Sequence, residues 1–168
     1  MSEQPRVPDG ESHGATLSEP VAAPSSQDIL SLLTSTAGAV TSLVPEDGDM
    51  VAMVRQGFPV TALENLVAAV GAPQKEIAHA VGIPATTLGR RRQNGQLTAM
   101  ESDQVVRVAR LVVMARAMMA GDVDAARRWL TTPHRLLGDE TPLRRASTET
   151  GGREVEQLVG RLRHGVFS

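Results

Sequence analysis

The chain contains no cysteine and no tyrosine, and its remaining aromatic residues are Phe58, Trp129 and Phe167. Without cysteine, disulfides and thiolate metal sites are excluded. So few aromatics imply an aliphatic core, supplemented by methionine, which suits helix packing. Lysine is reduced to Lys75, so no glycine-rich phosphate loop ending in lysine exists. No apolar run reaches the roughly 18 residues a membrane span needs, so no membrane contact is expected. The first residues lack a basic region followed by an apolar stretch, so no secretion signal is expected and the cytoplasm is the expected location. His13, His79, His134 and His164 lack the i, i+4 partner of a zinc helix, and no serine sits in a nucleophile elbow. We therefore expect no catalysis, no metal and no cofactor.

What is present is charge, unevenly placed. The 168 residues carry a net charge of −2. Residues 1–50 hold eight acids against Arg6, whereas the remainder holds eleven acids against sixteen bases. The later part is mildly basic, which permits nucleic-acid binding without requiring it. Residues 1–26 are rich in Pro, Ser, Gly and acid and too poor in apolar groups to offset the entropy of ordering, so they are expected to form a disordered acidic tail. Such a tail serves solubility more often than it binds a basic partner. Residues 27–48 have loosely helical apolar spacing broken by "PEDGD", and read as a short helical or linker segment.

From residue 49 the punctuation is helical. Gly57, Gly71, Gly82 and Gly95 stand at successive helix ends. Thr61 is available as a cap, and Pro73 and Pro84 fall at helix starts. Thr98 and Glu101 form the Thr-x-x-Glu capping box of the longest periodic segment. Val105, Val108, Ala109, Val112, Ala115 and Met119 make its main stripe, with Val106 and Val113 outside it. A helix apolar on two faces is either central or part of a dimer interface. Asp122 and Asp124 open the next helix, and Arg127 and Arg128 near its end suit its dipole. Thr141 with Pro142 opens another, and a last helix runs over about residues 150–164. No segment alternates with period two, so the fold class is all-α.

Residues 73–95 are spaced as a helix-turn-helix around Gly82, with Ile77, Val81, Ile83 and Leu88 as its small core and Ala78 allowing close crossing. The second helix contains "LGRRRQNG", residues 88–95. Arginine pairs bidentately with guanine edges and neutralises phosphates, while Gln pairs with adenine. Gln74, Thr86, Thr87, Arg90, Arg91, Arg92 and Gln93 are therefore the candidate DNA-binding residues. The alternative is a solvated arginine cluster favoured by the C-terminal end of a helix dipole. Gly89 is an unfavourable choice inside a helix, marking either close approach to something or simple tolerance.

The stretch "GIPATTLGRRRQNGQLTAMESDQVVRVARL" resembles the Xre-type helix-turn-helix of the Xre/MbcA/ParS antitoxin family. The later "AARRWLTTPHRLLGDETPLRRASTETGGREVEQLVGRLRHGVFS" resembles that family's C-terminal toxin-binding domain, with Trp129-Leu130, Pro133, Leu137-Gly138, Thr141-Pro142-Leu143 and the ending Gly165-Val166-Phe167 as its marks. The order of the two halves makes the resemblance specific. It implies an Xre-like domain over 49–120 and a toxin-binding domain over 121–168. It also implies a type II antitoxin, not an enzyme, that covers the active site of a RES-domain toxin consuming NAD⁺ and binds its own promoter. A homodimer, or a larger hetero-oligomer with the toxin, is the implied assembly. The chain departs from the family pattern at Pro73 and Pro84, where the family often has a capping Ser. Arg91 stands where generic helix-turn-helix proteins place an apolar residue.

Candidate toxin-binding residues are Arg144, Arg145, Arg161 and Arg163, as rim contacts, and the terminal Gly165, Val166, Phe167 and Ser168. Read from the residues alone, the apolar tail can insert into a partner's cleft, but Phe167 folding back onto Leu162 or Trp129 is the favoured alternative, and Trp129 itself is core. A regulator whose C-terminal half only oligomerises is the alternative function.

Overall fold

A computed structural model describes residues 23–34 and 49–163 of the chain. Its helices are α1 (Ser26–Thr34), α2 (Met50–Gln56), α3 (Val60–Val70), α4 (Gln74–Ala80), α5 (Ala85–Asn94) and α6 (Ala99–Met118), followed by α7 (Val123–Thr131), a 3₁₀ turn (Arg135–Leu137), α8 (Pro142–Arg145) and α9 (Glu149–Arg163). Among the described residues, the only bridges of β type are the isolated pairs Pro59–Gln96 and His134–Glu140. The all-α expectation holds. α1 begins at Ser26, the last residue of the stretch expected to be disordered; residues 1–22 of that stretch, and 35–48 of the linker, lie outside the described residues.

α6 is the central element, packed against α1, α2, α3, α7 and α9. Its two-faced apolar pattern is the cause: Val105, Val108, Ala109, Val112 and Ala115 are buried on one side, and Val106 and Leu111 are buried as well. The buried side chains form one continuous cluster from Ile29 in α1 to Val159 in α9. Trp129 belongs to it, as expected, and Ile77, Ala78, Val81, Ile83 and Leu88 fill the helix-turn-helix core.

The local signals set most boundaries. The Thr98–Glu101 capping box is formed in both directions, and Asp122 and Thr141 accept from the backbone N–H groups three residues on. Asp49 caps α2 in the same way. Thr61 does not act as a cap. α3 begins one residue earlier, with Pro59 at the cap position, and the Thr61 hydroxyl is buried without a hydrogen-bond partner among the described residues. The proline presets the helix entry that a side-chain cap would otherwise favour. Arg127 also differs from its expected role. Its guanidinium donates to the carbonyl oxygens of Ala68 at 2.7 Å and Ala69 at 3.2 Å, so it caps the C-terminal end of α3 rather than that of its own helix.

Two glycines are fixed by close approach. A Cβ on Gly57, whose φ is +92°, would collide with the carbonyl oxygen of Leu97, and one on Gly151 would collide with that of Arg145. The first contact seats the α2–α3 corner on the strand-like residues 95–97. The second lays the start of α9 against α8.

Ser102 is the one buried polar residue among those described. Its hydroxyl accepts from the Phe58 N–H at 2.8 Å and donates to the Thr98 carbonyl at 2.8 Å. It thereby satisfies a backbone donor buried in the α2–α3 corner, 44 residues away. Ser102→Ala leaves that donor without a partner, and we expect a loss of about 1–3 kcal/mol in urea unfolding monitored by circular dichroism. A loss close to zero would show that the Phe58 N–H finds another acceptor.

Candidate DNA-reading helix and partner surface

Leu88 is the buried anchor of α5, and the rest of the helix is exposed or half-buried. With Leu88 pointing inward, Thr86, Gly89, Arg90 and Gln93 follow one another at helical spacing along the outer side, all exposed. Arg90 makes no ion pair among the described residues. Space around Gly89 is open, with no atom within 4 Å of where a Cβ would sit. Packing within the chain therefore gives no reason for glycine at that position. Thr87 is half-buried, and Gln74, at the first turn of α4, is half-buried also.

The three arginines separate into three situations. Arg90 is free. Arg92 approaches Glu64 of α3 at 3.6 Å, with both side chains half exposed, a pair worth little in water. Arg91 turns inward. Its Nε lies 2.7 Å from Glu101 Oε2 and 2.9 Å from Oε1, and the two side chains are 15% and 13% exposed. Glu101 also accepts from the Thr98 N–H at 2.8 Å. One carboxylate thus joins the capping box of α6 to the middle of α5, and an arginine occupies the position where an apolar residue would thicken the core.

Burial pushes the Glu101 carboxyl up, but the hydrogen bonds from the Thr98 backbone, Arg91 and the Thr98 side chain outweigh it. The net effect holds this group below its ordinary value of 4.5. A carboxylate with a depressed folded-state pKa contributes stability that is complete above the unfolded-state value and disappears as pH falls through the folded-state value. Glu101→Gln removes the ion pair and leaves only an uncharged, weaker acceptor for the Thr98 N–H in the capping box. We expect it to cost about 2 kcal/mol at neutral pH. It should also flatten the fall in melting temperature between about pH 5 and pH 3 relative to the parent chain. Parallel pH profiles for the two proteins would contradict this assignment.

The C-terminal candidates also divide. Arg144 and Arg161 are exposed, and Arg163 is half-buried at the end of α9. Arg145 is held between Glu154 at 2.7 Å and Glu140 at 3.3 Å, so it ties α8 to α9 and to the loop before it. The hydrogen bond to Glu154, then that to Glu140, raises its already high pKa. Gly165, Val166, Phe167 and Ser168 lie outside the described residues. The sequence reading did not single out Leu136, a leucine 68% exposed on the 3₁₀ turn beside Arg135. His134, next to it, packs its ring 5.3 Å from that of Trp129. Among the described residues, no group of three or more potential metal-ligating side chains occurs, and no helix is long and apolar enough to cross a membrane.

An outward arginine-bearing helix on one module, joined through α6 to a second helical module, matches what the comparisons find. Residues 49–110 match the family described as the antitoxin Xre-like helix-turn-helix domain. Residues 114–165 match the antitoxin Xre/MbcA/ParS C-terminal toxin-binding domain. The chain belongs to the Xre/MbcA/ParS antitoxin family. It is 38% identical over 120 residues to the antitoxin Xre of Yersinia enterocolitica, covering 71% of this chain and 81% of that protein. It is 33% identical over 118 residues to the antitoxin Xre of Photorhabdus laumondii, covering 70% and 80% respectively. A third antitoxin Xre, from Pseudomonas putida, is 34% identical over 84 residues, 49% of this chain and 52% of that one. The two matched antitoxin segments meet inside α6, so this helix serves both modules, and α1 lies outside both.

Proposed function

We propose that this antitoxin-family chain is a type II antitoxin. It neutralises a RES-domain toxin by covering that enzyme's NAD⁺-consuming site, and it represses its own promoter. The observation that carries the reading is the succession of an outward-facing α5, bearing Thr86, Arg90 and Gln93, and a toxin-binding module built on the same α6. On the DNA side, Arg90 and Gln93 meet base edges or phosphates, with Thr86, Thr87, Arg92 and Gln74 beside them. Arg91 acts indirectly, holding α5 on Glu101. Two copies would read two half-sites, as helix-turn-helix dimers do. On the toxin side, Arg144, Arg161 and Arg163 supply rim contacts of small individual energy. The terminal Val166 and Phe167 enter the cleft, while Arg145 keeps α8 and α9 in register.

The test is a titration of a RES-domain toxin, the proposed partner, against the purified chain, following NAD⁺. The expected result is stoichiometric protection of NAD⁺. Undiminished consumption at a severalfold excess of the chain would overturn the proposal.

A further inference from the structure

Arg116, near the end of α6, lines an open cavity of about 550 Å³ between α1, α3, α6 and α7. Its Nε is buried and donates to no atom among the described residues. Among the described residues, no carboxylate lies within ion-pair distance of it. A second cation, Arg127, stands on the same wall: burial first, then repulsion by Arg127, lowers the pKa of Arg116. Arg127 uses three of its N–H groups on the Ala69 and Ala68 carbonyls and on Asp124, which leaves it two. Beside those remaining donors, the unsatisfied buried Nε of Arg116 makes a like-charged pair that an anion would join.

The acids nearby are engaged elsewhere. Asp28 lines the same cavity, but its Oδ2 accepts from the Ser25 hydroxyl at 2.7 Å and the Ser25 N–H at 3.2 Å. Asp124 sits 3.3 Å from the Arg127 Nη1 on the outer side. Ser31 on α1 and Asn65 on α3 add hydrogen-bonding groups to the wall. Asn65 Nδ2 already donates to the Leu33 carbonyl at 2.6 Å, which ties α1 to α3 beside the cavity.

We propose that this cavity is a binding site for a small phosphate-class oxyanion, held between Arg116 and Arg127 with the Ser31 hydroxyl as an additional donor. Guanidiniums suit such an anion because their planar N–H pairs match its oxygens. The site joins three parts of the chain: α1, which lies outside both family segments, the helix-turn-helix module through α3, and the toxin-binding module through α7. Occupancy therefore draws these three together and stabilises the whole fold by linkage. This inference is independent of the proposed toxin and promoter.

The test uses the full chain in a chloride buffer at constant ionic strength, titrated with inorganic phosphate, with AMP and with additional chloride. Calorimetry and the side-chain Nε–H resonance of Arg116 are followed. Saturable binding of phosphate or AMP that moves this resonance is expected, with no saturable response to chloride. Tighter binding of AMP assigns a phosphate ester; tighter binding of the inorganic ion assigns free phosphate. Arg116→Gln should fold at least as well as the parent chain in chloride, since it removes a charge without a partner. It should weaken the oxyanion by about tenfold or more. A response to phosphate and AMP indistinguishable from chloride, an unmoved Arg116 resonance, or an unchanged affinity in a folded Arg116→Gln protein would each overturn the site.

Discussion

Arg90→Ala weakens binding to operator DNA by about 1–3 kcal/mol, roughly five- to 150-fold, and lowers the slope of log affinity against log salt by about one if the contact is to a phosphate. The reason is exposure without a competing partner among the described residues: Arg90 stands on the outer side of α5. The chain's melting temperature should not change, because no packing is lost. Arg91→Ala gives the contrasting result. It breaks the 2.7 Å pair with Glu101, lowers stability, and affects DNA only to the extent that α5 loosens. Fluorescence anisotropy with a labelled operator duplex over a salt series, paired with thermal melts, separates the two. If Arg90→Ala leaves both affinity and slope unchanged, α5 does not read DNA through this face.

The second large effect belongs to the other end. Removing residues 165–168 is expected to leave the helical circular dichroism and the melting temperature intact, since among the described residues the cluster of buried side chains already joins every helix from α1 to α9. Inhibition of the toxin should nevertheless fall by about a hundredfold, the scale set by the loss of one buried aromatic anchor and its neighbours. Full NAD⁺ protection by the shortened chain would place the inhibitory contacts elsewhere, with the exposed Leu136 and Arg135 as the next surface to test. A drop in melting temperature would instead mean that Phe167 packs on the chain's own core.

The legible parts of this fold are those whose cause lies within one helical turn. Thr98 with Glu101, Asp122, Thr141 with Pro142, and the glycines at helix ends act through neighbours three or four residues away, and each was readable as a pattern. The two apolar faces of α6 announced a central helix for the same reason. Contacts between distant segments left no such trace. Arg91 finds Glu101 ten residues on, Ser102 finds the Phe58 N–H 44 residues back, and Arg127 reaches the end of α3 58 residues back. These pairings depend on how helices cross, which periodicity does not encode. The arginine triplet shows the consequence for the candidate site: three identical neighbours, 100° apart around one helix, meet solvent, Glu101 and Glu64 in turn. Sequence placed the three arginines on one helix but could not tell the exposed arginine from the tether.

The most direct test of the account is co-expression of the chain with a RES-domain toxin, the proposed partner, followed by size-exclusion chromatography in the presence of a labelled operator duplex. A single assembly in which chain, toxin and duplex co-elute is the predicted result. Separate elution of the chain from the toxin, with or without DNA, would contradict it.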